Sequence, residues 1–493
     1  MPEHASNDAA AGSIDRRSVW PAIVPVLAIA TLPYLTLLAT NVGQGVDLGQ
    51  VLIWWAVTSA VGLAAVAIAA RWGGHVARWV GTVTALALYL LFNYPLVAGV
   101  RESIGVEMSG LWWWVLASAL VLGPAVPAAK RPGVQRLVAV IAPALLIAPL
   151  VQLVTASPAE ADPVPEVPAP GLAEFAQTPN VYWFMLDAFA GPVYLYEELG
   201  VDTGPFVDSL EGNGFRVPLE SRTNYPFTHL AMSSTLELDY VYEGVDEPPT
   251  GRYAPILRGD NRTVDTFRAN GYGYLHAYSG LWSGSRCGGR EDVCIGAHGP
   301  LSDTQWALAS ATPLIEVIAD ERANSTIAVA NDPAHVISRV LDSAPRSPFF
   351  AMIHLMNPHT PFLRDAACRI RDVPLSFRDW GEGPEYADAV RCLFQQLEAA
   401  VDRILAVDPD AVIAIQGDHG PRLGLGRQTR GEVLLDDDMF FSAFSALRLP
   451  GDCGDDVPED VTFVNTFRLV FACLAGDEPE LLDDRLFPIR RSY

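Results

Sequence analysis

A carboxylate and an imidazole stand side by side where Asp418 precedes His419. The apolar, β-branched run 411–415 before them stops at Gly417, as a buried parallel strand does at its end. Open α/β sheets bind their ligands in the crevice outside the carboxyl ends of such strands. One oxygen donor and one nitrogen donor beside glycines therefore indicate a metal site. An Asp that caps a helix next to a surface His is the alternative.

Two further apolar runs lead into side chains of the same kinds. Run 180–186 is followed by Asp187, and run 348–355 carries His354 and leads to His359, which has prolines on either side. Asp187 taken alone could simply cap a turn. Two histidines at this spacing could hold an anionic oxygen or a second metal, whereas a lone strand-end histidine is more often structural.

A hydroxyl group is predicted at the start of a helix. Pro226 marks a loop and 229–238 is predicted as a helix, so Thr228 lies at or near the N-terminus of that helix. Free N–H groups and the positive end of the helix dipole favour a phosphate or a developing alkoxide there. A hydroxyl held beside a metal can lose its proton and act as a nucleophile. The simpler alternative is that Thr228 is an N-cap, and Ser233 is the reserve nucleophile.

The elements that must position these groups follow a very different first third of the chain. Half of the 493 residues are apolar, the mean hydropathy is +0.21, and the apolar residues crowd into the first third. Five apolar stretches lie at 20–41, 50–70, 78–99, 110–128 and 136–155. Each is near the ~20 residues that a helix needs to cross a bilayer. A five-helix transmembrane domain is therefore expected over 20–155. Buried helices of a soluble bundle are disfavoured, because no stretch has a wide polar face.

Basic residues predict the orientation of this domain. They precede the first stretch and lie between the second and third and between the fourth and fifth, at Arg16, Arg17, Arg71, Arg78, Lys130, Arg131 and Arg136. By the positive-inside rule these loops face the cytoplasm. Residues 1–19 are then a cytoplasmic tail of a multi-pass cell-membrane protein, and everything after Thr155 is extracytoplasmic. The net charge of -24, with the acidic residues concentrated after 156, argues against a nucleic-acid partner.

A linker and six cysteines characterise the part outside the membrane. Residues 156–179 are rich in proline and acid and predict an extended spacer before a domain over 180–493. All cysteines lie in this domain, and an even number on the oxidising side suggests disulfides rather than free buried thiols. The sequence does not determine their connectivity. The pairing expected is between neighbours, namely Cys287–Cys294, Cys368–Cys392 and Cys453–Cys473.

These motifs together resemble the alkaline phosphatase and sulfatase superfamily. The resemblance covers 180–493 and rests on Leu186-Asp187, on 224–228, on the His354-to-Pro361 element and on 416–421. The pattern is similar to that of membrane-anchored bacterial sulfatase-like proteins, with lipoteichoic acid synthases and phosphoethanolamine transferases as relatives. The resemblance implies an N-terminal bundle of about five transmembrane helices. An alkaline phosphatase-like α/β domain would follow, with a mostly parallel central sheet flanked by helices.

The resemblance also implies roles for individual residues. Asp187, Thr228, Asp418 and His419 would ligate one divalent cation, and Thr228 would become covalently modified. His354 and His359 would bind substrate oxygens or steady the leaving group. The segment 276–282 is expected to line the site without an assigned role.

The sequence also departs from the superfamily pattern. Sulfatases carry a Cys or Ser in a C-x-P-S-R-like motif that matures to formylglycine, whereas residues 228–232 here read Thr-His-Leu-Ala-Met, which disfavours sulfate ester cleavage. Two-metal relatives use a further histidine, but none follows His419, so a single metal is expected. Asp332 and His335 could form a second-metal element, although the start of a helix is the preferred interpretation.

We therefore predict a metal-dependent phosphoryl-group transferase or hydrolase that acts on a lipid- or glycan-linked envelope substrate through Thr228. A sulfuric ester hydrolase and a non-catalytic envelope module on the same fold are the alternatives. The cation could be Zn, Mn, Mg or Ca, which the sequence does not distinguish. Expected partners are membrane lipids and an envelope phospholipid or glycan, and the oligomeric state is left open.

Overall fold

The computed structural model describes residues 20–41, 46, 48–104, 106, 108–155, 173–279, 283–296, 303–318, 321–371, 380–425, 429 and 431–492. The predicted tail 1–19 and most of the predicted linker lie outside these residues. The chain forms two compact units. The first, here called the membrane unit, takes in the described residues up to Thr155 and also Thr304–Ile318. The second, the α/β unit, holds the other described residues from 173 onward.

The membrane unit begins with seven apolar helices. Their bounds are α1 Trp20–Thr40, α2 Leu48–Ala70, α3 Gly74–Phe92, α4 Tyr94–Ser103, α5 Gly110–Ala128, α6 Pro132–Ala144 and α7 Ile147–Thr155. Five segments are long and apolar enough to cross a membrane: α1, α2, α3, α5 and the combined Pro132–Thr155. The predicted third stretch 78–99 is divided between α3 and α4, and the helix is interrupted at Asn93. Pro95 cannot donate a backbone hydrogen bond, so it does not continue α3.

Eight strands form two sheets in the α/β unit. Their bounds are β1 Val181–Leu186, β2 Gly273–Tyr278, β3 Val293–Gly296, β4 Phe349–Leu355, β5 Val412–Gly417, β6 Glu432–Leu435, β7 Ser445–Arg448 and β8 Ile489–Ser492. The larger sheet has the order β3-β2-β4-β1-β5-β7. Its first five strands run parallel and β7 is antiparallel to β5. β6 and β8 pair separately.

Helices connect and cover the strands. Their bounds are α8 Pro192–Glu197, α9 Gly204–Gly212, α10 Thr228–Glu237, α11 Ala254–Leu257, α12 Arg262–Ala269, α13 Asp303–Ser310, α14 Ile315–Ile318, α15 Glu321–Ala330, α16 Pro333–Ser343, α17 Pro384–Val407, α18 Asp438–Phe441 and α19 Thr466–Ala475. Short 3-10 turns lie at Thr250–Arg252, Ser283–Ser285, Cys453–Asp456 and Phe463–Asn465. The predicted combination of apolar N-terminal helices and a mostly parallel, helix-flanked sheet is confirmed.

The central strands β1, β4 and β5 are buried along their whole length because helices cover both faces of the sheet. On one face, Phe184 packs in a core with α17. On the other, Trp183 packs against Phe467 of α19. The cysteines are joined as the three neighbour pairs expected from the sequence. These packed strands provide a rigid base for the side chains at their carboxyl ends.

Candidate metal centre and active site

Asp187 follows the last residue of β1 and points into the crevice at the sheet edge. Its backbone N–H donates to Leu355 O of β4 at 2.9 Å, and only 4% of the residue is exposed. The next residue, Ala188, has φ 62°, a left-handed conformation that is uncommon for a residue with a side chain. The Ala188 N–H donates to Asp418 Oδ1 at 2.7 Å. This turn therefore joins the ends of β1 and β5.

The Asp418-His419 turn requires the glycines on either side of it. A Cβ at Gly417 would lie 2.1 Å from Phe189 O, and one at Gly420 would lie 1.8 Å from Met439 O. Both distances are far inside van der Waals contact, so a side chain at either position would displace the turn. Asp418 Oδ1 also accepts the His419 N–H at 2.7 Å. With Oδ1 occupied by two N–H donors, Oδ2 is the oxygen left to face the cluster.

The hydrogen bond of the His419 ring fixes which nitrogen can bind a metal. His419 Nδ1 lies 2.7 Å from Gly420 O, and a carbonyl only accepts, so Nδ1 carries the proton in the neutral ring. Nε2 then presents its lone pair toward the carboxylates. It lies 3.7 Å from Asp187 Oδ1 and 3.5 Å from Asp418 Oδ2. Metal-binding histidines usually donate their other ring N–H to a carbonyl or carboxylate oxygen in this way.

Thr228 is the first residue of α10, and Phe227 occupies the N-cap position without a side-chain hydrogen bond. The alternative that Thr228 serves as the N-cap is therefore wrong. Its Oγ1 instead lies 3.4 Å from His419 Nε2, and its side chain is only partly buried. Ser233, the reserve nucleophile, is fully buried inside α10. Of the two hydroxyls, the Thr228 hydroxyl is the one at the cluster.

The two carboxyl groups are in an unfavourable environment for negative charge. Asp187 Oδ1 and Asp418 Oδ2 are buried and make no hydrogen bond of normal geometry within the described residues. Burial raises the pKa of Asp187 well above its ordinary value, the Asp418 charge raises it further, and Arg422 and the Thr228 hydroxyl lower it. Burial likewise raises the pKa of Asp418, while the Thr228 hydroxyl lowers it. Among the described residues, Arg422 therefore offsets this buried negative charge only in part.

These groups fit a metal ion. One ligand atom each from Asp187, Asp418 and His419 lie within 4.8 Å of one another. A tetrahedral ion with ligand bonds of roughly 2.0–2.2 Å separates its ligand atoms by about 3.3–3.6 Å. His419 Nε2 lies at a similar distance, 3.4–3.7 Å, from the oxygens of Thr228, Asp187 and Asp418. Two carboxylates and one imidazole suit a hard or borderline divalent cation.

Other candidate metal ligands are placed differently. Among the described residues, a second group joins His276, Cys287 and Glu291, but Cys287 is bonded to Cys294 and offers no thiolate. Asp332 caps α16 by accepting the N–H of Ala334 at 3.0 Å. Asp332 and His335 therefore belong to the start of a helix, as the preferred interpretation of the sequence expected.

His354 and His359 lie beside the cluster rather than in it. His354 Nδ1 lies 2.6 Å from Ser285 Oγ, and burial lowers the pKa of this histidine to about 4 while the Asp418 charge raises it. His359 Nδ1 lies 2.6 Å from Thr360 O, and burial lowers its pKa to about 3. Both rings are therefore neutral at pH 7. The described part of segment 276–282 places a third buried histidine, His276, close enough to His354 for their charges to interact.

Arg422 is the residue that the sequence reasoning missed. It ends the Asp418-His419 segment, and a Gly-Pro turn brings its guanidinium back so that Nη2 lies 3.3 Å from His419 Nε2. Nη2 also donates to Pro226 O at 3.0 Å, and the guanidinium stacks on the Phe227 ring. The sequence signal that could have indicated this role is an arginine three residues after His419. Its planar fork suits the oxygens of a phosphoryl or sulfuryl group.

The chain is similar to several solved structures. The chain resembles the C-terminal periplasmic domain of EcEptC from Escherichia coli, with 13% identity, 66% of this chain and 96% of that chain covered, and a TM-score of 0.42. It also resembles the C-terminal periplasmic domain of phosphoethanolamine transferase EptC from Campylobacter jejuni, at 10% identity and a TM-score of 0.38. That match covers 62% of this chain and 96% of the other. A third match is a protein in the alkaline phosphatase superfamily from Vibrio parahaemolyticus, at 12% identity and a TM-score of 0.39. It covers 63% of this chain and 71% of the other.

No curated protein matches the chain significantly in sequence. The Sulfatase family model matches residues 179–442, which is more than half of the chain and contains Asp187, Thr228 and the Asp418-His419 turn. The chain belongs to the sulfatase family, within the alkaline phosphatase and sulfatase superfamily.

Proposed function

We propose that this protein is a membrane-anchored enzyme that transfers or hydrolyses a phosphoryl group of a cell-envelope substrate, with Thr228 as nucleophile. The observation that carries the proposal is the position of the Thr228 hydroxyl. Thr228 is partly exposed at the start of α10, and its Oγ1 lies 3.4 Å from Nε2 of His419. This residue would therefore border both the ligand cluster and the side from which a substrate enters.

Asp187, Asp418, His419 and Thr228 would hold one divalent cation. When bound, such a cation lowers the pKa of a coordinated hydroxyl and stabilises charge on phosphoryl oxygens. The chain supplies a rigid frame for this chemistry, because backbone N–H groups fix Asp418 Oδ1 and a carbonyl fixes His419 Nδ1. The N-terminus of α10 adds the positive end of a helix dipole beside the Thr228 oxygen.

In the first step Thr228 gives up its hydroxyl proton to solvent and its Oγ1 forms a bond to phosphorus. The bond from phosphorus to the leaving oxygen breaks, and that oxygen takes a proton. In the second step the oxygen of an acceptor hydroxyl or of water bonds to phosphorus, loses its proton, and the Oγ1–phosphorus bond breaks. Thr228 then regains a proton. Arg422 would hold a phosphoryl oxygen through both steps.

The neutral histidines beside the cluster would form hydrogen bonds with uncharged groups of the substrate. Because Nδ1 of neutral His359 donates to the Thr360 carbonyl, its Nε2 can only accept a hydrogen bond. His359 would therefore hold a hydroxyl group of the substrate or acceptor rather than a phosphoryl oxygen. His354, bonded to Ser285, would contact the same region from β4.

We also propose that the N-terminus is cytoplasmic, that 156–179 is a linker and that the domain over 180–493 is extracytoplasmic. Three disulfides in the α/β unit support an oxidising location. An envelope phospholipid or glycan is the substrate class that this layout favours.

Ester selectivity and acceptor use test the proposal in the purified full-length protein. We expect metal-dependent turnover of an aryl phosphodiester or phosphate, a loss of at least about 10³-fold in Thr228→Ala, and partial recovery in Thr228→Ser. Ser233→Ala is the matched control and should retain activity. Faster turnover of an aryl sulfate than of the phosphate esters would support the sulfuric ester hydrolase instead. Full activity in Thr228→Ala would refute the nucleophile, and product bound to an added alcohol would identify a transferase.

A further inference from the structure

The membrane unit contains a half-open cavity that is lined by helices distant in the chain. After β3 the chain contributes Thr304–Ile318 to this unit, as α13 and α14. A cavity of about 320 Å³ lies between this segment, the second half of α1 and the end of α3. Its walls include the apolar side chains Leu32, Leu37, Phe92, Ala307, Leu308 and Ala311.

Specific contacts hold the segment Thr304–Ile318 against the helices of the membrane unit. The backbone N–H of Tyr94, at the start of α4, donates to Ala311 O at 3.3 Å, and the Tyr94 hydroxyl donates to Glu316. Gly110, the first residue of α5, is packed so closely that a Cβ there would lie 2.3 Å from Glu316 Oε1. The segment is therefore a fixed wall of the cavity.

Two of the polar side chains at the cavity wall donate hydrogen bonds to nearby backbone carbonyls. The Thr40 hydroxyl donates to Thr36 O at 2.9 Å, and the Asn93 amide donates to Tyr89 O at 2.7 Å. Asp, Glu, Lys and Arg are absent from the residues that line the cavity within the described part of the chain. A lining that is uncharged and mostly apolar favours a hydrocarbon occupant over an ion.

We infer that this cavity binds one acyl chain of a glycerophospholipid from the surrounding membrane. Ligand sites range from about 300 to 1,000 Å³, so a volume of about 320 Å³ suits a single narrow chain rather than a head group. At roughly 30 Å³ for a group the size of a water molecule, it holds on the order of ten methylene groups. The α1 and α3 helices that line it are candidate membrane spans, so lipid is the solvent around them.

This site also deepens the proposed function, on which its role in catalysis rests. Under that function a membrane phospholipid is the substrate, so a lipid seated in the cavity would be a substrate molecule. Lipid binding itself does not depend on that role.

Photo-crosslinking of the full-length protein in nanodiscs tests the binding directly. The probe is phosphatidylglycerol with a diazirine near the end of one acyl chain, and the labelled peptides are mapped by mass spectrometry. We expect labelling concentrated on peptides that contain Leu37 and Leu308. Equal labelling of the exposed face of α2, for example at Leu52 and Val61, would overturn the inference.

Cavity-filling variants give the matched comparison. Ala307→Trp and Ala311→Trp, each tested separately, should lower labelling of the cavity peptides at least 5-fold, and one correctly folded variant is sufficient. Leu314→Trp is the control, because Leu314 is 55% exposed on the same segment and is not a lining residue. Unchanged labelling in a folded cavity-filling variant, or an equal loss in the control, would contradict the proposal.

Activity separates this inference from the proposed function. Against long-chain phosphatidylglycerol, the filled variants should lose at least 10-fold in kcat/KM, while turnover of a soluble aryl phosphodiester stays at the wild-type level. If every variant keeps the wild-type kcat/KM on both substrates, the cavity does not serve catalysis. If the wild-type enzyme hydrolyses neither ester although crosslinking succeeds, the proposed function fails and the lipid site stands.

Discussion

Replacing Asp418 by Asn should stabilise the metal-free protein and weaken its stabilisation by metal. The amide oxygen of Asn can still accept the N–H groups of Ala188 and His419, as Asp418 Oδ1 does at 2.7 Å. The change therefore preserves the turn and removes one negative charge from the cluster. Without metal this relieves repulsion between two buried carboxyl groups, whereas with metal it removes an anionic ligand.

The structure gives the size of the effect without metal. The ligand atoms of Asp187 and Asp418 lie within 4.8 Å, so two ionised groups would repel by at least about 3 kcal/mol at an effective dielectric constant of about 20. Their raised pKa values mean that the metal-free fold binds extra protons and loses stability as the pH rises. We expect metal-free Asp418→Asn to be about 2–3 kcal/mol more stable than wild type at pH 8, with a smaller difference at pH 5.

Metal should cancel that difference. A cation at 1,000 times its dissociation constant stabilises the wild type by about 4 kcal/mol, and an affinity 100-fold weaker leaves only about 1.4 kcal/mol in the variant. Thermal unfolding of the α/β unit in detergent, with EDTA and with each of Zn²⁺, Mn²⁺, Mg²⁺ and Ca²⁺, measures both states. Each kcal/mol corresponds to a few °C in the midpoint.

A matched control is Asp332→Asn, because Asn is as good an N-cap as Asp and Asp332 lies outside the cluster. This variant should keep the metal-induced stabilisation of the wild type. The reasoning is refuted if metal-free Asp418→Asn is less stable than wild type, or if it gains as much from metal. A loss of the metal response in Asp332→Asn would instead move the metal site to α16.

Three further predictions test parts of the structure separately. Arg422→Met should lower kcat on a phosphate ester by about 10²–10³-fold while metal content stays unchanged, because one donor to the phosphoryl oxygens is lost. Burial raises the pKa of Glu237 to about 7 despite Arg262 at 3.6 Å, so the fold binds a proton between about pH 4.5 and 7 that the unfolded chain releases. The free energy of unfolding should fall as the pH rises through that window, by at most about 1.4 kcal/mol per pH unit, and this slope should be absent in Glu237→Gln. Replacing both Cys368 and Cys392 by Ser should cost about 3 kcal/mol, because the bond closes a loop with a sequence separation of 24.

Each of these has a clear contrary result. Wild-type kcat in Arg422→Met, or loss of its metal, would remove Arg422 from substrate binding. An equal pH slope of the unfolding midpoint in Glu237→Gln would assign the proton to another group. An unchanged midpoint under non-reducing conditions for the double serine variant would show that this disulfide does not stabilise the fold.

Much of the fold was predictable because parallel strands carry strong signals. Strands β1, β4 and β5 are buried on both faces, so each is a nearly continuous apolar run. Side chains that follow such runs meet at one edge of the sheet, so Asp187 and Asp418 could be placed together without knowledge of the fold. The five apolar stretches were recognisable for a similar reason, since length and hydropathy alone define them.

Other features depend on distances along the chain that periodicity does not encode. Arg422 reaches the cluster only because Gly420 and Pro421 turn the chain back toward Pro226. The N-cap alternative for Thr228 could be discarded only once Phe227 was placed at the cap position. The return of Thr304–Ile318 to the membrane unit had no sequence signal, because its two helices are short and moderately apolar.

Intact-protein and peptide mass spectrometry after reaction with a slowly turned-over phosphate ester tests the central claim most directly. The account predicts a phosphoryl-sized adduct on Thr228 that forms only with divalent metal, is discharged by an acceptor alcohol or water, and is absent in Thr228→Ala. An adduct on Ser233 or on another residue, or rapid turnover without any adduct at Thr228 under quench conditions, would contradict it.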